Sequence, residues 1–238
     1  MKENIVGTAL GAIESGLVVS CQAAEGNPLR GPRFMAAMAQ AAAAAGAIGI
    51  RAEGADDIAA VRAATGLPVI GIRKTGPAGS DGVYITPTYA DAESVVAAGA
   101  AIVATDGTAR PRPDGGDLAT LIAQVHDRLG VPVMADVDSV EAGRYACECG
   151  ADLLASTLSG YTGPGPVPDG PDIELVAALV RATPLPVVAE GRISAPEEAR
   201  AAFAAGAHAV VVGTAITNPM EITRRFTTAL GTSRREKE

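Results

Sequence analysis

The residues able to do chemistry in this sequence fall at the ends of short apolar runs. Glu190 follows Pro186-Val-Val-Ala, Asp136 follows Pro132-Val-Met-Ala, Asp106 closes Ala101-Ile-Val-Ala-Thr, and Lys74 closes Pro68-Val-Ile-Gly-Ile-Arg. Gln22, Arg51 and Thr157 stand at or near the ends of similar runs. A charged or amide side chain there does little for packing, so it is available for proton transfer or for holding a ligand. The set contains cations, carboxylates and an amide but no histidine. The two histidines lie elsewhere: His126 within a helical pattern, and His208 at the entry of the last run. Both are expected to be structural, so acid–base work falls to Lys74 or to a carboxylate. Arg51 has two readings, a structural ion-pair partner or a rim group that suits an oxyanion or a sugar hydroxyl, because a guanidinium presents a planar fork of donors.

Two glycine turns complete the set. Gly191-Arg192 and Gly213-Thr214 each end a β-branched run and open onto a helical pattern. Free backbone N–H groups and the helix dipole both favour an anion at such a place, so Gly191, Arg192, Gly213 and Thr214 are expected to grip a phosphate. Asp136-x-Asp138 puts only Asp136 at a strand end, and no His, Cys and carboxylate cluster has metal spacing; no metal or cofactor is expected. Arg110 and Arg112, in a proline-containing loop, are expected to be solvated charges.

These residues need a frame that brings eight run-ends together. A run of small aliphatics bounded by turn residues is a strand buried on both faces. Eight such runs are expected: Leu17–Gln22, Ala47–Arg51, Pro68–Lys74, Ala101–Asp106, Pro132–Asp136, Leu153–Leu158, Pro186–Arg192 and Ala209–Thr214. Helical patterns alternate with them over 33–45, 55–65, 91–98, 118–129, 140–149, 173–182, 196–205 and 220–230. A short helix over 3–15 should cover one end. Gly-Ala recurs at helix exits (Gly46, Gly99, Gly150 and Gly206), where glycine is the expected stop signal. The repeat predicts an α/β fold, a single (β/α)8 TIM barrel over 1–230 followed by a charged tail over 231–238. Active sites in that fold gather at the C-terminal strand ends, with phosphate commonly held after strands seven and eight.

Composition agrees. The 238 residues are 48% hydrophobic and only 3% aromatic, so the core must be built from Ala, Val, Ile and Leu. A net charge of −8 argues against nucleic acid or an anionic membrane as partner. Cys21, Cys147 and Cys149 show no zinc spacing, and the chain shows no leader or spanning segment, which together predict a cytoplasmic protein. No G-x-G-x-x-G follows the first strand, which speaks against a dinucleotide site.

Six motifs taken together resemble those of one family. Ser20-Cys-Gln22, Gly49-Ile-Arg-Ala52, Tyr84-Ile-Thr-Pro-Thr88, Thr157-Leu-Ser-Gly-Tyr-Thr162, Glu190-Gly-Arg-Ile193 and Val212-Gly-Thr-Ala-Ile-Thr217 occur in the order seen in the N-acetylmannosamine-6-phosphate 2-epimerases. The resemblance spans about Leu17 to Phe226. It implies an isomerase that interconverts N-acetylmannosamine 6-phosphate and N-acetylglucosamine 6-phosphate in amino-sugar and sialic-acid breakdown. It makes Lys74 the catalytic lysine with Glu190 as partner, puts Gln22, Arg51, Asp136 and Thr157 on the substrate, and keeps the glycine turns for the phosphate. A small phosphorylated amino sugar is then the partner, with a homodimer as one possible assembly. The sequence departs from the family at Asn218-Pro219, where arginine is usual after Ala-Ile-Thr, and at Arg73, where an apolar residue is usual. Rival readings are another phosphosugar isomerase, a Schiff-base aldolase using Lys74, and a sugar-phosphate sensor that needs neither Lys74 nor Glu190.

Overall fold

The computed structural model describes residues 2–76, 82–162, 167 and 169–231. Eight parallel strands close in sequence order into a barrel: β1 (Leu17–Cys21), β2 (Gly49–Glu53), β3 (Val69–Ile72), β4 (Ile102–Asp106), β5 (Val133–Asp136), β6 (Leu153–Ala155), β7 (Val187–Glu190) and β8 (Ala209–Val212). The helices are α1 (Lys2–Gly11), α2 (Pro32–Ala44), α3 (Ala55–Thr65), α4 (Tyr89–Ala97), α5 (Leu118–Gln124), α6 (Val140–Glu148), α7 (Ile173–Ala182), α8 (Pro196–Ala204), α9 (Thr214–Thr217) and α10 (Pro219–Ala229). The expected TIM barrel is therefore present. The tail expected over 231–238 lies outside the described residues, Gly231 apart.

Alternation along the strands separates two cores. One set of side chains, including Val19, Ile50, Val69, Val103 and Val210, packs outward against the helices. The other fills the interior: Val18, Ile70, Ile102, Met134, Leu153, Val188, Ala209 and Val211, all buried. Burying each such aliphatic stabilises by about 1.5–3 kcal/mol. Two residues further along, the inward positions turn polar, giving Ser20 after Val18, Asp136 after Met134 and Glu190 after Val188. Ile13, fully buried, plugs the other end together with Leu10. The expected floor segment is thus real, and His208 fastens it with a 3.0 Å hydrogen bond to the Leu10 carbonyl. His126 pairs with Asp152 at 2.8 Å on the outside. Both histidines are structural, as their positions implied.

The Gly-Ala repeats explain where strands begin. Gly46, Gly99, Gly150 and Gly206 adopt φ of 99°, 104°, 94° and 98°, which L side chains rarely accept. The alanine after each donates back to the preceding helix, as from Ala47 N to Ala42 O at 3.0 Å and from Ala207 N to Ala202 O at 3.1 Å. This is the helix-ending motif in which the residue after the left-handed glycine closes a 6→1 bond. Ala47 thus belongs to the exit of α2, and β2 runs over Gly49–Glu53 rather than the expected 47–51. Arg51 is mid-strand and Glu53 is the true end.

Other boundaries also differ from expectation. β3 stops at Ile72, and Lys74 lies beyond it in an isolated antiparallel bridge to Ile85. β6 stops at Ala155, and Thr157 falls in a 3-10 turn over Ser156–Leu158. The expected helix over 118–129 is α5 continued by a π-helical turn over Val125–Leu129. Thr88 opens α4 with a capping box, accepting from Asp91 N while the Asp91 carboxylate reaches back to Thr88 N.

Candidate active site

Arg51 is the centre of the mouth. Its side chain is 1% exposed, and its two terminal nitrogens grip Asp136 bidentately at 3.1 and 2.6 Å while the first also pairs with Glu190. Thr157 Oγ1 lies 2.7 Å from Asp136 Oδ1 and 3.1 Å from Glu190 Oε2, so one hydroxyl bridges the two carboxylates. Four residues, from the middle of β2, the ends of β5 and β7 and the turn after β6, therefore form one network. Two buried carboxylates would repel each other strongly without the guanidinium between them, so the cluster holds only as a unit. Burial lowers the affinity of Arg51 for its proton, yet Asp136 and Glu190 outweigh that and push its pKa up.

Glu190 is positioned from behind by a residue that sequence reasoning did not single out. Ser156 Oγ donates to the Glu190 carbonyl at 3.0 Å and accepts from the Glu190 N–H at 3.1 Å. Burial pushes the Glu190 carboxyl above its ordinary value, against the pull of Arg51; Asp136 adds to the rise.

Lys74 keeps access to solvent, and its Nζ makes no ion pair among the described residues. Protein crowding around it is still the largest influence on its pKa, which is lowered; Arg51 lowers it further, while Glu53, Glu190 and Asp136 act the other way. Arg73, next to Lys74 in sequence, is turned to Asp91 at 3.2 Å. Glu53 Oε1 accepts from the Lys74 backbone N–H at 3.3 Å. Alternation along Gly49-Ile-Arg-Ala-Glu53 could have revealed Glu53, since it shares Arg51's face, but ending the strand too early hid it.

Gln22 stands just past β1 and donates to Ser20 Oγ at 2.8 Å. Its Oε1 and the Arg51 Nε are buried without partners among the described residues. Buried polar atoms left unpaired are costly and mark a place where a ligand or water completes the bonding.

The two glycine turns lie side by side after β7 and β8. Gly191 has φ 109° and Arg192 φ 56°, two consecutive left-handed residues. The N–H groups of Gly191, Arg192, Gly213 and Thr214 have no partner among the described residues. The Arg192 side chain turns away, donating to Gly170 O at 2.7 Å and Ser159 O at 2.6 Å and lying 5.4 Å over the Tyr161 ring. Only its backbone is offered to an anion. Asn218, where the family's arginine is usual, instead caps α10 by accepting from Glu221 N at 3.2 Å.

Arg110 and Arg112 are not the solvated charges expected. Arg112 is 6% exposed and donates to Pro87 O at 2.9 Å and Asp106 O at 2.6 Å. Arg110 pairs with the fully buried Asp106 and donates to Gly82 O at 3.1 Å. The short loop after β4 folds back over its own carboxylate, which buries Arg112 and half-buries Arg110 where a proline-containing sequence suggested exposure.

A closed parallel barrel with ionisable residues gathered at its C-terminal mouth defines a (β/α)8-barrel enzyme. The family model described as "Putative N-acetylmannosamine-6-phosphate epimerase" matches residues 35–232. A protein of that name from Cutibacterium acnes, there called a 2-epimerase, is 52% identical over 223 residues, covering 93% of this chain and 96% of that protein. One from Caldanaerobacter subterraneus subsp. tengcongensis is 48% identical over 217 residues, 91% of each chain. The solved N-acetylmannosamine-6-phosphate 2-epimerase of Clostridium perfringens superposes with a TM-score of 0.88 at 40% identity, covering 92% of this chain and 95% of that one. The chain belongs to the N-acetylmannosamine-6-phosphate 2-epimerase family.

Proposed function

We propose that this chain interconverts N-acetylmannosamine 6-phosphate and N-acetylglucosamine 6-phosphate by removing and returning a proton at C2 of the open-chain sugar. The observation that carries it is Lys74, an amine with a lowered pKa and no ion pair among the described residues, held at the mouth beside the Arg51, Asp136 and Glu190 network. The C2 hydrogen is acidic only beside the open-chain aldehyde, where its loss gives an enolate. Lys74 in its neutral form removes that proton, and a proton is returned to the opposite face to invert C2. Glu190, with its raised pKa, is suited to move a proton during ring opening or on the second face. The four free N–H groups of the glycine turns hold the 6-phosphate, and that binding fixes C2 near the amine. Gln22, Arg51, Asp136 and Thr157 form the remaining wall. Positioned proton transfer supplies roughly 10²–10⁴-fold, so stabilisation of the enolate oxygen must supply more.

The test is turnover of N-acetylmannosamine 6-phosphate in heavy water, followed by proton resonance. The expected result is the epimeric product with deuterium at C2. Absence of turnover, with a borohydride-trapped adduct at Lys74 instead, would favour the Schiff-base aldolase.

A homodimer and a cytoplasmic location belong to the same reading. Helix α10 buries no residue; it exposes Met220 and Phe226, and Leu230 is exposed just past its end. A second copy of the chain would cover that stripe, and Phe226→Asp should then shift the sedimentation coefficient to that of a monomer. Among the described residues no helix is long and apolar enough to cross a membrane, and a phosphorylated sugar is confined to the compartment that makes it.

A further inference from the structure

Tyr84 has no part in the proton transfers assigned to Lys74 and Glu190, yet it is built into the same mouth. It is 6% exposed and packs with the interior cluster beside Ile72, Ile85 and Ala104. Its backbone is pinned to the segment carrying Lys74: Thr75 N donates to Tyr84 O at 3.0 Å, Ile85 bridges Lys74, and Thr86 N donates to Arg73 O at 2.7 Å. Burial is the main influence on the phenol, followed by the charges of Asp136 and Asp106, then Arg110 and Arg51. Charges of both the catalytic network and the loop cluster after β4 therefore reach the ring.

The Tyr84 hydroxyl has no hydrogen-bond partner among the described residues, although both carboxylates nearby are engaged by arginines and hydroxyls. It is not sealed in either, since the fully enclosed unpaired side-chain atoms among the described residues are Gln22 Oε1 and Arg51 Nε. A largely buried phenol with an open, unused donor is rare without an acceptor to serve, because buried tyrosine hydroxyls normally find one. Its pKa is pushed up to about 12, so it remains a donor, never a base, across any working pH.

The topology says which part of the substrate would meet it. The phosphate turns follow β7 and β8, whereas Tyr84 and Lys74 stand beyond β3, on the other side of the mouth. A sugar anchored by its C6 phosphate at the turns and presenting C2 to Lys74 brings its C1–C2 end to Tyr84. We propose that the Tyr84 hydroxyl donates a hydrogen bond to a carbonyl oxygen at that end, either the C1 aldehyde oxygen that becomes the enolate oxygen or the acetamido carbonyl on C2. This rests on the epimerase reading, and it adds a substrate-contacting donor to the residues of that site.

Tyr84→Phe removes the donor and keeps the ring. Wild-type turnover of N-acetylmannosamine 6-phosphate is measured alongside, so that failure of the epimerase reading is seen separately. If the aldehyde oxygen is the acceptor, kcat falls by about 10²–10³-fold with KM little changed, as for loss of one oxyanion donor. If the acetamido carbonyl is the acceptor, KM rises instead. Kinetic constants within twofold of wild type would overturn the proposal. A second measurement needs no variant. The chain has four tyrosines, so the ring carbons of 13C-labelled wild-type protein are readily assigned. The Tyr84 Cζ resonance should move on adding the phosphorylated sugar and not on adding inorganic phosphate. No movement at saturating sugar would equally overturn it.

Discussion

Two arginine–carboxylate clusters occupy the same mouth and differ in how they are assembled. Arg51, Asp136, Thr157 and Glu190 come from three strands and the turn after a fourth, separated by up to 139 positions, and only the closed barrel brings them together. Asp106, Thr108, Arg110 and Arg112 come from a single stretch of seven residues, the last of β4 and the loop that follows. In the loop cluster the donors are spent on the protein: Thr108 satisfies Asp106 at 2.7 Å, and Arg112 is divided between the Pro87 and Asp106 carbonyls. In and beside the cross-barrel cluster Arg51 Nε, Gln22 Oε1 and the Lys74 amine are left over among the described residues. Burial and charge pairing alone thus do not mark an active site. Leftover bonding capacity does, because it is what a ligand would use.

Lys74 gives the largest effect expected from this contrast. Lys74→Ala and Lys74→Gln should abolish epimerisation, a loss at or beyond the roughly 10⁴-fold that positioned proton transfer supplies. Circular dichroism and inorganic-phosphate binding should be unchanged, because the glycine turns are untouched. In the wild type, kcat should rise with pH as the amine loses its proton, with a midpoint below the ordinary lysine value of 10.5, since the pKa is lowered. Retained turnover in Lys74→Ala would show that the leftover amine has no chemical meaning.

The clusters can be set against each other directly. Arg51→Met leaves Asp136 and Glu190 buried and uncompensated, so it should cost about 3–5 kcal/mol in a denaturant melt and remove activity. Arg112→Met should also lower the melt, through the lost bonds to Pro87 and Asp106, yet leave kcat within a few-fold of wild type. Equal loss of kcat in a folded Arg112→Met protein would dissolve the distinction.

A third test concerns the phosphate turns. An added Cβ at Gly213 would sit 3.2 Å from Ser20 Cβ, tight but not prohibitive. Gly213→Asp also adds a negative charge where the phosphate is placed, so KM for the phosphorylated sugar should rise by about tenfold or more, the equivalent of 1.4 kcal/mol. An unchanged KM would remove this turn from the phosphate site.

The smallest effect is expected at Asn218. Asn218→Arg restores the cation usual in the family but deletes the α10 cap, which typically costs about 1 kcal/mol. A few-fold fall in KM accompanied by a lower melting temperature is the expected balance. Weaker binding would mean that the turns already satisfy the phosphate.

Several features are legible in the sequence because they depend on local chemistry. Short β-branched runs, Gly-Ala helix exits and a fixed alternation of strand and helix dictate a (β/α)8 barrel, and the barrel dictates that run-ends share one mouth. Lys74, Glu190 and the glycine turns follow from that rule. Arg51 reads at the wrong depth: a strand β2 starting at Ala47 makes it a rim residue free for substrate. The structure instead spends its terminal nitrogens on Asp136 and Glu190. Arg110 and Arg112 mislead for a related reason, since a proline-containing loop reads as exposed until its path over Asp106 is known.

Periodicities, stop signals and the residue types delivered to the mouth are all set within a few neighbouring residues. Which charge faces which is set by the closing of the barrel. The pairing of Arg51 with Asp136 and Glu190, the desolvation that lowers the Lys74 pKa, and the open hydroxyl of Tyr84 each depend on distances across a closed sheet. Electrostatic energy and desolvation vary with separation in space, and residues 85 or 139 positions apart carry no local signal of how close they will lie.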